Sequence, residues 1–231
     1  MVGTLYNAIA VGVGASAGLW LGEKISTGMQ MRVFQALGLF TLGIGFEMTT
    51  GMDKPFAVFL ALIVGVIVGQ KLQIDEWIRR STNRMGEGTG AGLIQSLLLF
   101  CAGAMTLVGC MQDGIQNDPT ILFIKGTMDL VSSALLAATL GRGVLLAAPA
   151  VLLLQGTLTW AFTLWGAGWS SGLTSDLTGL GGLLLIALGI DLLKIQSFAL
   201  LNFVPAFALV ALFRPIAFWI ETELPLLLLF P

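Results

Sequence analysis

Histidine is absent from the chain, and only 10% of its 231 residues are charged. The first absence removes the usual proton switch near neutral pH and the commonest transition-metal ligand, so no metal and no cofactor is expected. The second sets the chain apart from globular domains, in which about a quarter of the residues are charged. With no basic stripe to meet a phosphate backbone, nucleic acid is excluded as a partner. The formal net charge of −2 says little about partners, because the charges sit in a few turns. Cysteine is scarce as well. Cys101 and Cys110 fall on opposite faces of one predicted helix, about 13 Å apart along its axis. They cannot pair and are expected as small packing residues. Met1 to Asn7 carries no basic side chain, unlike the start of a secretory signal, and the first apolar run is expected to be a retained helix.

Apolar residues are abundant, at 56% of the chain, and mean hydropathy is +0.93. They gather in runs of about 18 to 20 residues, long enough to cross a hydrocarbon core of about 30 Å as helices. Barrel strands would alternate, and these runs do not. The expected fold is all-α: a polytopic membrane protein in one transmembrane domain over 1–231, with about eight transmembrane helices, or about seven. The spans read as 3–22, 33–50, 55–72, 92–111, 121–140, 143–165, 179–193 and 198–213. A charged loop, 71–90, carries Arg79, Arg80 and Arg84, with Ile74, Trp77 and Ile78 on one side of a short headgroup-lying helix. Residues 112–119 form a polar turn, 166–175 a Gly/Ser-rich loop, and 214–231 a tail that lies along the surface or on a neighbour.

Basic loops stay in the cytoplasm. Placing the 71–90 loop there also puts Lys24, Arg32, Arg142 and Lys194 inside, and Asp53, Asp113, Asp118, Asp176, Glu221 and Glu223 outside. Lys54 and Arg214 are the minority charges on that side. The expected location is a bacterial inner (plasma) membrane, with both termini outside. Small-residue ladders, Gly14, Gly18 and Gly22 after Ala10, and Gly65 and Gly69 after Ala61, let helices approach closely, within the chain, in a homodimer or against another membrane protein. An internal repeat at an offset of 144 lays Gly38-Leu39, Gly45 and Glu47 on Gly182-Leu183, Gly189 and Asp191, and Gly12 on Gly156. The two triplets, spans 1–3 and 6–8, would run in opposite directions around the central fourth and fifth spans. That is the inverted repeat of secondary transporters.

The residues that could carry chemistry are few. Lys125, Asp129, Ser132 and Ser133 fall on one stripe of the fifth span. An ionised side chain at mid-bilayer costs about 2.5 to 3.5 kcal/mol, so the stripe marks either a path through the membrane or a buried pair that sets helix register. Glu47 and Asp191 are mirror positions near span ends, read as paired gates, ion ligands or solvated helix ends. In the polar turn, Asp118 reads as the N-cap of the fifth span with Pro119 in its first position, and Asp113 and Gln112 as an outer vestibule. Asn7, Gln95, Gln155 and Asn202 are amides inside spans that can bond across helices. Pro149 and Pro205 would free carbonyls inside the sixth and eighth spans, or kink them.

Several of these residues carry a resemblance. The opening Gly3-Thr4-x-x-Asn7, the Gln112-Asp113-Gly114 to Asp118-Pro119 turn and Lys125-x-x-x-Asp129 are among them. So are Gln155-Gly156, Gly181-Gly182-Leu183 and Asn202-x-x-Pro205-Ala206. With these the chain resembles, over nearly its whole length, the domain-of-unknown-function 554 family of bacterial multispanning membrane proteins. Asp191 lies outside the motifs. The resemblance implies the multispanning architecture and leaves the activity to the residues. They point to a transporter or channel for a small polar solute or ion in the bilayer. The alternative is a structural or assembly subunit of a membrane complex. A third reading, an intramembrane enzyme, has only one acid at depth and no histidine behind it, so no enzymatic activity is expected.

Overall fold

A computed structural model describes residues 1–22, 26–83, 92–93, 96–97, 99–100 and 104–220. The described residues are helical, with no strand among them. The helices are α1 (Val2–Leu21), α2 (Thr27–Thr49), α3 (Pro55–Leu72), α4 (Ile74–Asn83), α5 (Ala104–Met111), α6 (Thr120–Leu140), α7 (Ala147–Trp165), α8 (Ser171–Leu192) and α9 (Pro205–Phe218). Among the described residues, five stretches are long and apolar enough to cross a bilayer: Val2–Leu21, Pro55–Leu72, Thr120–Trp165, Ser171–Leu192 and Leu200–Phe218. The third joins α6 to α7 through a 3-10 turn at Gly141–Leu146. Large apolar side chains also face outward, among them Trp20 at 83% exposure and Leu153 at 72%, as lipid-facing residues do.

Capping chemistry moves several boundaries away from those expected. The second span starts at Thr27 rather than 33 because the Ser26 hydroxyl accepts the Met29 N–H at 3.2 Å. The seventh starts at Ser171 rather than 179, since Ser170 accepts the Leu173 N–H at 3.2 Å and draws the second half of the Gly/Ser-rich loop into the helix. In the fifth span, Asp118 is not the N-cap. Pro119 takes that position, and Asp118 accepts the Thr120 N–H at 3.0 Å from one residue further back. Pro149 lies in the first turn of α7 and Pro205 opens α9, so neither breaks a helix interior or frees a carbonyl there. In the eighth span the α-helix accordingly begins later than expected, after a 3-10 turn at Leu200–Phe203, and runs on to Phe218 through the start of the expected tail. Glu23, Lys24, Arg84, Gln95, Cys101, Glu221 and Glu223 lie outside the described residues.

Close approach of backbones organises the packing. A Cβ on Gly14 or Gly18 would overlap the carbonyl oxygens of Leu130 or Ala134, so α1 lies directly on α6. Gly65 and Gly69 do the same for α3, against Ala206 of α9 and Asn202 of the 3-10 turn before it. Gly22 is different: it ends α1 at φ 56°, where glycine is favoured, and a Cβ there would meet nothing within 4 Å. Two apolar cores result. One joins residues of α2, α3, α5, α8 and α9 around Leu180 and Leu185; the other joins α1, α6 and α7 around Val11, Phe100 and Val151. The helix ends differ in charge. Asp53, Asp113, Asp118 and Asp176 mark an acidic end, which also holds Lys54 and Arg214; Arg32, Lys71, Arg80, Arg142 and Lys194 mark a basic end.

Gly14→Ala or Gly18→Ala should cost about 1 to 3 kcal/mol through overpacking, read as a lowered unfolding temperature in detergent. Gly43→Ala, where a Cβ meets nothing within 4 Å, should be neutral or slightly stabilising.

Candidate functional site

Four residues apart on α6, Lys125 and Asp129 share a helix face, and the Lys125 ammonium bonds the Asp129 carboxylate directly. They are 4% and 7% exposed. The ammonium also stands 6.0 Å from the centre of the Phe100 ring, a cation–π distance. Gly126, the residue after Lys125, explains how α1 comes so near. A Cβ there would lie 2.7 Å from the Tyr6 ring and 3.1 Å from the Asn7 Cα. The Asn7 side chain thereby reaches the Asp129 carboxylate.

From Asn7 a polar column runs toward the acidic end. Its Nδ2 donates to Gln155 Oε1 of α7 at 3.1 Å, and one turn further the hydroxyls of Thr4 and Thr159 meet at 3.2 Å. All four residues are buried. Two atoms in the column have no partner: Asn7 Oδ1, an acceptor, and Gln155 Nε2, a donor. On the other side of the pair, toward the basic end, lies a cavity of ≈ 40 Å³. Lys125, Asp129 and Ser132 line it on one side, with Phe34 and Leu37 of α2 and Leu192 of α8 among the apolar residues facing them. Ser133 does not share this role. Its hydroxyl donates back to the Leu130 carbonyl at 3.0 Å and packs against Gly14.

The other sequence candidates stand elsewhere. Asp113, in a π-helical turn at Gln112–Gln116, receives the Met1 ammonium at 2.7 Å and is 5% exposed. Gln112 holds the same turn through its carbonyl, which accepts the Asp118 N–H at 3.2 Å. Glu47 is exposed near one end of α2, and Asp191 is half-buried near one end of α8. Asn202 clasps a loop: it accepts the Asp75 N–H at 3.0 Å and donates to Gln70 at 2.9 Å. Sequence reasoning gave no site role to Thr4, named only within the opening motif, or to Thr159 and Phe100, which read as ordinary span residues.

It also missed another buried acid, Asp176, which is fully buried at the acidic end and bonded by Arg214. Asp176 further accepts the N–H groups of Asp53 and Lys54 at 2.8 and 2.7 Å, while Arg214 reaches Asp53 at 2.7 Å. The one available signal was an arginine inside the closing apolar run. Asp118, on the surface, is held below the usual carboxylate range by hydrogen bonds from the Thr120 side chain and backbone.

An ion pair sunk among apolar helices, flanked by a polar column and a small cavity, defines the class: an all-helical, polytopic membrane protein with a charged site inside its bundle. The chain belongs to the family described as protein of unknown function DUF554, whose model matches residues 2–214. Among similar proteins, uncharacterized protein YqgA of Escherichia coli (strain K12) is 27% identical over 221 residues, covering 90% of this chain and 94% of that relative. Uncharacterized membrane protein YdfK of Bacillus subtilis (strain 168) is 26% identical over 211 residues, covering 89% and 92%. No solved structure matches the chain.

Removing one partner of a buried pair strands the other. Lys125→Met should therefore destabilise the protein by about 3 to 5 kcal/mol, and most of the loss should be recovered in Lys125→Met with Asp129→Leu. Unfolding temperatures of the single and double variants in detergent measure this; additive losses would contradict it. Asp118 gives a sign that can be worked out. Because its folded value is lowered, its contribution is present above the ordinary value of 3.8 and is lost as pH falls through the lowered one. A small stability advantage over Asp118→Asn should thus be seen at neutral pH and fade on strong acidification.

Proposed function

We propose that the protein moves a small polar solute or an ion across the membrane along a path that passes the Lys125–Asp129 pair. The observation that carries this reading is the pair's setting. It faces a cavity on one side and, on the other, a buried column with an unpartnered acceptor and an unpartnered donor. A pair that only set helix register would need neither. Intramembrane charge that looks onto space and hydrogen-bonding groups marks a pathway by default.

Internal symmetry supports the same reading. Shifted by 144 residues, α2 becomes 171–193 and α1 becomes 146–165, each within one residue of α8 and α7 at both ends. The same shift carries the capping Ser26 onto the capping Ser170. Each helix of the first triplet packs against its own counterpart, α1 on α7, α2 on α8 and α3 on α9. A Cβ on Gly38 would lie 3.0 Å from the Gly189 carbonyl, and one on Gly45 2.8 Å from that of Gly182. The shift exchanges Gly38 with Gly182 and Gly189 with Gly45, so one contact maps onto the other. Self-pairing of this kind is what a two-fold axis in the membrane plane produces, the arrangement of inverted-repeat transporters. Basic residues favour the cytoplasm, which orients the basic end inward, with both termini outside, in a bacterial inner membrane. The glycine ladders on which an assembly-subunit reading rests are filled by the chain's own helices, at Gly14, Gly18, Gly65 and Gly69.

Cysteine accessibility tests the path. With Cys101 and Cys110 replaced by alanine, Ser132→Cys in native membranes should react with a small, membrane-impermeant methanethiosulfonate as the transport cycle opens the cavity. Val11→Cys, on the fully buried side of α1, should not. A Ser132→Cys thiol that stays unreactive while a loop cysteine is modified would refute the path.

A further inference from the structure

Resting on that reading, we propose that the ion handled at this site is the proton, taken up and released by the Asp129 carboxylate, with Lys125 as its tethered counter-cation. Little can reach the carboxylate. A cavity of ≈ 40 Å³ holds about one to three waters and no larger solute. A bare metal cation would need a shell of oxygens. The position beside the carboxylate is already taken by the Lys125 ammonium, and the residues opposite are apolar, Phe34, Leu37 and Leu192 among them. Among the described residues no group of three or more acidic, cysteine or histidine side chains stands together. A proton needs no such shell.

Hydrogen-bonding groups continue from the carboxylate in both directions. Toward the acidic end are Asn7 and Gln155, then Thr4 and Thr159. A single water accepting from Gln155 Nε2 and donating to Asn7 Oδ1 would satisfy the two unpartnered atoms and keep the column continuous. Toward the basic end are the Ser132 side chain and the cavity. Within this column Asp129 is the one carboxylate. The groups that face the pair are Asn7 from α1, Phe34 and Leu37 from α2, Leu99, Phe100 and Met105 from the fourth span, and Leu188 and Leu192 from α8. None of these side chains ionises.

The step balances without a co-reactant. A hydronium ion on one side gives its proton to a carboxylate oxygen, leaving water, and the ion pair opens. The freed ammonium keeps its charge and turns to the Phe100 ring, 6.0 Å away. The acid then loses its proton to water on the other side, and the pair closes again.

Infrared difference spectra of the full chain in membranes, taken between acidic and alkaline buffer, test this without a known solute. A protonated-carboxyl band should appear on acidification, be lost in Asp129→Asn, move in Asp129→Glu and persist in Glu76→Gln. Replacing sodium by choline should leave it unchanged. In proteoliposomes with trapped pyranine, a potassium diffusion potential should drive lumenal acidification that Asp129→Asn reduces to the protein-free rate. Absence of an Asp129-dependent band, or a band that sodium suppresses, overturns the proton assignment. If the thiol of Ser132→Cys is nonetheless reactive, the path stands and carries something else; if that thiol is inert as well, both readings fall.

Discussion

A carboxylate and an ammonium on one face of α6, buried within the bundle, set the terms for everything packed around them. An unpaired charge is costly in a low-dielectric bundle, so in the closed pair each steadies the other, with a ring of dipoles besides. α1 supplies those dipoles. It can do so because glycines at 14, 18 and 126 bring the two backbones into contact and carry Asn7 to the carboxylate. Loosening that contact would move the amide away and leave the pair underserved.

At the ends of the bundle, different chemistry solves a related problem. The turns on both sides of α3 are held by side chains from the second half of the chain. Asp176 takes the N–H groups of Asp53 and Lys54 at the acidic end, and Asn202 takes that of Asp75 at the basic end. The acid needs Arg214 to neutralise it; the amide does not. The two clasps therefore differ in strength, since hydrogen bonds to a charged group are roughly twice as strong as neutral ones.

Much of this was legible in the residues. Hydropathy alone exposes the helical, membrane-spanning class, because apolar runs of that length have one use. The Lys125–Asp129 stripe follows from helical periodicity, which needs no tertiary information. Other features were hidden because their signal is not local. Thr4 and Thr159 look like any hydroxyls in a span until two distant helices bring them within 3.2 Å. Asp176 reads as a loop acid because its partner, Arg214, is 38 residues away in sequence. Helix starts were misplaced where one serine hydroxyl, at Ser26 or Ser170, extended a helix well beyond the apolar run.

Composition and periodicity therefore determined the class of protein, the face of α6 that carries charge, and the positions at which helices could approach, since each depends only on residue type and spacing along one helix. Which helix fills each groove, which amides meet the carboxylate and where space remains beside it were decided by tertiary packing. Those are relations between segments distant in sequence, such as Asn7 and Gln155, and they exist only once the bundle has closed.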